Sequence, residues 1–241
     1  MRQSGRIQLK VWCLLGALGA AVPACSKNVA PPAMPAAPGP EDGFVSLFDG
    51  TTLAGWRNFK GEGAVKGWKV QDGQIVYDGK PGSRGDLITE KQYTDFELQL
   101  EWKISEAGNS GILFHATEED DYPWRTGPEM QILDNEKHGD GHSPLTSAGA
   151  NYALIAVSEN TVKPVGEWNA IRLVVKGDHV QHFLNGTKVV DYHLWSDEWK
   201  ALVMASKFKD MPNYGMRKTG HIVLQDHSDM VWFRNIRIKE L

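Results

Sequence analysis

The chain has 241 residues, with 26 Lys and Arg against 30 Asp and Glu and a formal net charge of −4. Acids and bases are interspersed along it, which excludes the basic stripe of a protein that grips a phosphate backbone, so no nucleic-acid partner is expected. Its two cysteines, Cys13 and Cys25, both lie near the start, leaving the body no pair to oxidise; stability has to come from core packing.

The first 25 residues read as an export signal: a basic start (Arg2, Arg6, Lys10), an apolar run over 11–22, and small residues ending at Ala24 and Cys25. The run is too short and too rich in Gly and Ala for a membrane span. A cysteine after Ala24, followed by a tether-like stretch, predicts a lipoprotein-type signal with Cys25 lipidated, ordinary cleavage near Ala24 being the alternative. The expected location is the cell envelope, exported and membrane-associated through the lipid. Residues 26–43 are rich in Ala and Pro, a composition that cannot bury enough surface to fold, and predict an extended tether. The folded body is expected over 44–241, a normal single-domain size.

Within that body strand signals dominate. Gly-containing turns at 49–50, 72–73, 78–79 and 82–85 punctuate short runs. Residues 95–104 alternate strictly, with Phe96, Leu98, Leu100, Trp102 and Ile104 on one face and Glu97, Gln99, Glu101 and Lys103 on the other. Residues 109–111 read as a turn entering the next strand. Over 168–192 the chain predicts strands at 171–176, 179–184 and 188–192, with Asn185-Gly186 as a hairpin turn. Residues 196–205 fit a short helix or a loop. The last strand places Val231, Phe233, Ile236 and Ile238 inward under a register shift, and Trp56, Trp68, Trp102, Trp168 and Trp232 fit strand patterns and read as core. The pattern predicts an all-β sandwich or jelly roll of two antiparallel sheets.

Five ordered segments, FVSLFDGTTLAGW (44–56), WKVQDGQI (68–75), FELQLEWKISEAGNSGILF (96–114), GPEMQILDN (127–135) and GHIVLQDHSDMVWFRNIRIKEL (220–241), resemble the 3-keto-disaccharide hydrolase domain family. The resemblance runs from Phe44 to Leu241. It implies a concanavalin-like jelly roll of two curved antiparallel sheets with a groove on the concave face, and activity on glycosides already oxidised at C3 of the ring. It is looser over 147–154, where the family carries an arginine near Ser147, and at His115, where it more often carries an arginine.

A ketone at C3 acidifies the hydrogen on C2, so such chemistry needs a base near C2, a donor or cation at the C3 oxygen, and an acid for the departing oxygen. On an extended strand Glu129 and Gln131 share one face while Met130 and Ile132 take the other, which displays a carboxylate and an amide. Laminarinase-type glucanases place two glutamates around an aspartate at such alternating positions; here Gln131 occupies the middle one and apolar Leu133 the next. Catalytic candidates are Glu129, His227, Lys207 and Asp226, His227 as proton carrier and Lys207, with Lys209 as the weaker alternative, as the cation for the enolate oxygen. Adjacent strand residues point oppositely, so Asp226 and His227 enter one groove together only if the chain turns between them.

Substrate-binding candidates are Gln131, Asp134, Trp124, Arg125, Glu101, His115 and Gln225, Trp124 and Arg125 because an aromatic loop can stack on a pyranose, with Tyr122 beside them. Asp134, His138 and Asp140, with Asn135 and His142, form an acid and imidazole cluster that a divalent cation could use, although the spacing matches no specific metal motif. Expected partners are an oligosaccharide or glycoside, the membrane, and a sugar 3-dehydrogenase that makes the ketone. A non-catalytic carbohydrate-binding lipoprotein and a conventional glucanase are the competing readings.

Overall fold

A computed structural model of the chain describes residues 43–61, 65–80 and 85–241. The export segment, Cys25 and the spacer through residue 42 lie outside the described residues. The body is a sandwich of two antiparallel sheets. The larger contains β1 (Val45–Ser46), β3 (Trp68–Gln71), β4 (Gln74–Tyr77), β6 (Phe96–Ile104), β9 (Asn169–Lys176), β10 (His179–Leu184), β11 (Thr187–His193) and β13 (Val231–Glu240). Its order is β11-β10-β9-β6-β13-β4-β3, with β1 on β13. The smaller runs β2-β5-β12-β7-β8, built from β2 (Trp56–Asn58), β5 (Leu87–Thr89), β7 (Asn109–Ala116), β8 (Glu129–Leu133) and β12 (His221–Leu224). This is the concanavalin-type jelly roll expected above.

The core fills the space between the sheets. On β6 the predicted alternation holds residue by residue, Phe96 through Ile104 buried at every second position, so one face packs and the other meets water. β13 repeats the pattern with Val231, Phe233, Ile236 and Ile238 inward. Its register against β6 shifts between Arg234 and Arg237, around Asn235 at φ 53°. That bulge answers the anticipated shift: without the extra residue Ile236 and Ile238 would turn to solvent. Asn185 and Gly186 both have positive φ, as the β10–β11 hairpin requires.

Residues 197–205 resolve as a helix, α1 (Asp197–Ala205), which Ser196 caps by accepting the Trp199 amide. The expectations for residues 109–111 and for two of the tryptophans are corrected. Residues 109–111 open β7, paired with Leu133 to Gln131 of β8; the turn falls earlier, at Ala107, φ 53°. Trp168 and Trp232 are half-buried on the outer face of the larger sheet, where Lys103 lies 5.0 and 4.6 Å from their ring centroids. Neighbours of inward residues must face out, and Trp232 follows buried Val231.

Glu101 shares that outer face and accepts from Arg234 Nε at 2.5 Å. His115 turns inward: its positive φ (51°) breaks the β7 alternation, and the ring packs edge-on against Phe96 and Phe114 with Nε2 2.7 Å from the Thr94 carbonyl. Burial lowers its pKa. Neither residue reaches the site described next.

Candidate active site

The outer side of the smaller sheet carries a cavity of about 280 Å³. Its floor is β8 and the neighbouring strands. Met130 and Ile132 anchor β8 in the core, so Glu129 and Gln131 face the cavity together. Asn109 comes from β7, Gln225 from the end of β12, and His227 from the exposed loop beyond it.

Loops raise the walls. Trp124 and Gly127 precede β8, Tyr152 lies between β8 and β9, and Lys207, Phe208 and Tyr214 follow α1. Phe208 stacks on Tyr214 at 3.9 Å, and Tyr214 is backed by Trp199, itself stacked on Tyr192. Gly215 donates its amide to the Thr126 carbonyl at 2.8 Å, which ties the walls before β8 and after α1 together.

Glu129 lies across β7 over Gly111. A Cβ at residue 111 would stand 2.3 Å from Glu129 Oε1, so this strand position accommodates only glycine beneath the carboxylate. Gln225 Nε2 approaches Glu129 Oε2 at 3.5 Å. Glu129 is 7% exposed, and burial pushes its pKa up to about 8 against the pull of Lys207. Among the described residues that line the cavity it is the sole carboxylate. No second glutamate stands beside it among the described lining residues, and Gln131 holds the next same-face position of β8.

Lys207 Nζ sits 4.0 Å over the Tyr152 ring, and the Tyr152 hydroxyl donates to Asp140 Oδ2 at 2.9 Å. Partial burial lowers the Lys207 pKa, with Glu129 and Asp140 drawing it back up. The Tyr152 ring thus holds the ammonium at the cavity, and Asp140 holds the ring. Tyr152→Leu is expected to cost about tenfold in kcat/KM by freeing Lys207, whereas Tyr152→Phe, which keeps the ring, should stay within about threefold; equal losses in the two variants would refute a positioning role.

The amide oxygens of Asn109, Gln131 and Gln225 are buried and lack a hydrogen-bond partner among the described residues. In a native fold such atoms await a ligand or water. They line the cavity, so a hydroxyl-rich ligand matches them. Trp124 adds a half-buried ring stacked on Tyr122 at 5.5 Å.

Several sequence candidates sit elsewhere. The Asp226 carboxylate accepts the amides of Gly85 and Ser228, at 2.8 and 2.9 Å, and faces away while His227 faces in. Both lie in the loop past β12, so their separation follows from the two amides that hold Asp226 and not from strand alternation. Arg125 pairs with Asp120 at 3.0 Å outside the cavity, and exposed Lys209 does not line it.

Asp134 is spent on backbone: it accepts the amides of Ala107 at 2.7 Å, Glu136 at 3.0 Å and Lys137 at 3.3 Å. Asp134→Ala is expected to destabilise the fold by about 2–3 kcal/mol, read by urea denaturation, without changing sugar affinity of the folded protein; weaker affinity at unchanged stability would contradict this assignment.

The cation cluster does not fit either. His138 Nδ1 accepts the Asp140 amide, Asp140 takes the Tyr152 hydroxyl, Asn135 joins Asn160 and the Ala148 amide, and no group of three His, Cys, Asp or Glu placed to hold a metal exists among the described residues, His142 included. Sequence reasoning missed Asn109, Tyr152, Phe208 and Tyr214. Asn109 was legible in principle, since alternation through 109–114 sets it on the same face as Gly111 and Leu113.

Comparison with known proteins agrees with this architecture. The chain is 36% identical over 229 residues to a 3-keto-disaccharide hydrolase of Bacteroides thetaiotaomicron, covering 83% of this chain and 79% of the relative. A crystal structure from Parabacteroides distasonis, provisionally assigned there as a glycosyl hydrolase, superposes with a TM-score of 0.76 at 37% identity over 83% of this chain and 94% of that one. A second from the same species, described likewise, gives 0.64 at 27% identity over 82% and 99%. The 3-keto-alpha-glucoside-1,2-lyase-like domain family matches residues 43–239, and the chain belongs to that family.

Proposed function

We propose that this protein hydrolyses glycosidic bonds of 3-keto-sugars by elimination followed by hydration. The observation that carries the reading is one buried carboxylate, Glu129, sharing a small cavity with the Lys207 ammonium and no second carboxylate among the described lining residues. That set suits proton abstraction beside a ketone and does not suit direct displacement at C1. The named relative and the family support the same substrate state.

In this reading ionised Glu129 takes the C2 proton, and the C–H electrons form the C2–C3 enolate, whose oxygen Lys207 neutralises. The enolate then expels the C1 substituent, whose oxygen receives a proton from His227, leaving a C1–C2 double bond conjugated to the ketone. Water then adds at C1 and gives its released proton back to His227, the enolate re-forms on the C3 oxygen, and Glu129 returns its proton to C2, so both groups regain their starting states and the net change is hydrolysis. A basic carboxylate favours the first step, and Asn109, Gln131 and Gln225 accept ring hydroxyls. The cavity volume fits one sugar ring and its immediate substituent, which supports a disaccharide or short glycoside entering end-on.

The decisive experiment follows release of both sugars from a 3-keto-disaccharide and from its unoxidised parent. Cleavage of the ketone alone is expected; cleavage of the parent alone would overturn the reading. We extend it to the envelope: an exported protein lipidated at Cys25, supplied with ketone by a sugar 3-dehydrogenase.

A further inference from the structure

The larger sheet presents its outer face on the side of the sandwich opposite the cavity. Register builds an array of cations and rings there. Trp232 pairs with Lys103, Arg234 with Glu101, and Arg237, Gln99, Arg172 and Phe183 form one row across β13, β6, β9 and β10. The Asn235 bulge sets Arg234 and Arg237 on the same face. Arg234 lies 4.1 Å over Trp168, Arg172 3.5 Å over Phe183, and Arg237 4.6 Å over Phe44.

The charge is lopsided. Lys69, Lys103, Arg172, Lys176, Lys188, Arg234, Arg237 and Lys239 stand against Glu97, Glu101 and Asp191, an excess of five on this face of a chain whose net charge is −4. Arg234 and Arg172 are partly neutralised by Glu101 and Glu97. Lys103, Arg237 and Lys239 have no carboxylate partner among the described residues.

We propose that this face docks on an anionic phospholipid surface and leaves the cavity open to solvent. Tryptophan beside lysine and arginine is the pairing that settles at headgroup level, ring towards the acyl boundary and charge at phosphate. The described body begins at this face: Gly43 packs against the Lys239 side chain and Phe44 lies under Arg237. The proposal extends the envelope assignment above but does not need the acyl chain.

The test uses the full chain carrying Cys25→Ala, sedimented with vesicles of equal phosphatidylglycerol and phosphatidylcholine or of phosphatidylcholine alone. Binding to the anionic vesicles should exceed that to neutral ones and collapse at high salt. Reversing Lys103→Glu and Lys239→Glu together changes the charge by four units and should weaken it about 600-fold, at roughly fivefold per unit charge, with neutral-vesicle binding and hydrolytic activity unchanged. Equal binding of the parent chain and the double variant to anionic vesicles would overturn the proposal. So would charge-dependent binding to dextran sulfate with none to the anionic vesicles, which would mark the face as a polyanion reader.

Discussion

Glu129→Gln is expected to lower turnover of a 3-keto-disaccharide by about 10³-fold while raising the melting temperature in alkaline buffer. Both effects come from one cause. Burial holds the carboxyl near a pKa of about 8, above the ordinary glutamate value of 4.5. Below roughly pH 4 the folded and unfolded chains both carry the proton, and burial costs nothing through ionisation. As pH rises from there to about 8, the unfolded chain ionises first, so the native state binds more protons and stability falls with pH. Above about 8 the loss levels off, at a ceiling on the order of 5 kcal/mol from the size of the shift. Gln keeps the shape and removes the ionisation, so its gain should be absent at pH 4, grow between pH 5 and 8, and persist at pH 9. The same pKa should appear as a rise of kcat/KM with pH up to about 8 in the parent enzyme. Undiminished turnover in the variant would remove Glu129 from the chemistry; a melting gain independent of pH would remove the buried ionisation.

The sandwich was legible because alternation is a local property that burial enforces. Residues 96–104 state their own facing, and so does the shift in β13 that the Asn235 bulge supplies. The cavity floor was legible for the same reason, since Glu129 and Gln131 had to share a face once Met130 and Ile132 were apolar. Its walls were not. Tyr152, Phe208 and Tyr214 lie in loops whose course depends on contacts far along the chain, such as Gly215 to Thr126, and no local period encodes those. Glu101 misled because one sheet's wet face looks like another's in sequence; only the strand order assigns it to the sheet away from the cavity. Asp134 and Asp226 misled because a carboxylate that caps backbone amides has the same composition signature as one that binds sugar.

Gly111→Ala is the second large effect expected, and it acts by crowding Glu129 out of place while leaving every proton-moving group chemically intact. The added methyl would stand 2.3 Å from Glu129 Oε1 and 2.7 Å from its Cδ, closer than carbon and oxygen can approach, so either the carboxylate swings away or β7 and β8 part. β7 is held on its other side by β12, with Val223 opposite Leu113, and Gln225 donates its amide to the Gly111 carbonyl at 2.9 Å. Backbone movement would therefore break ladder bonds on both sides, and rotation of the Glu129 side chain is the cheaper response. Displacing a reacting group by about 1 Å costs about 10²-fold in rate, so kcat should fall by that order, with a stability loss of about 1–3 kcal/mol from overpacking. Thermal unfolding separates the two consequences. A folded variant with kcat near that of the parent would mean that Glu129 does not need its place over Gly111. A variant slowed about 10²-fold whose rate no longer tracks a pKa near 8 would show that the glycine sets both where the carboxylate lies and how strongly burial holds its proton.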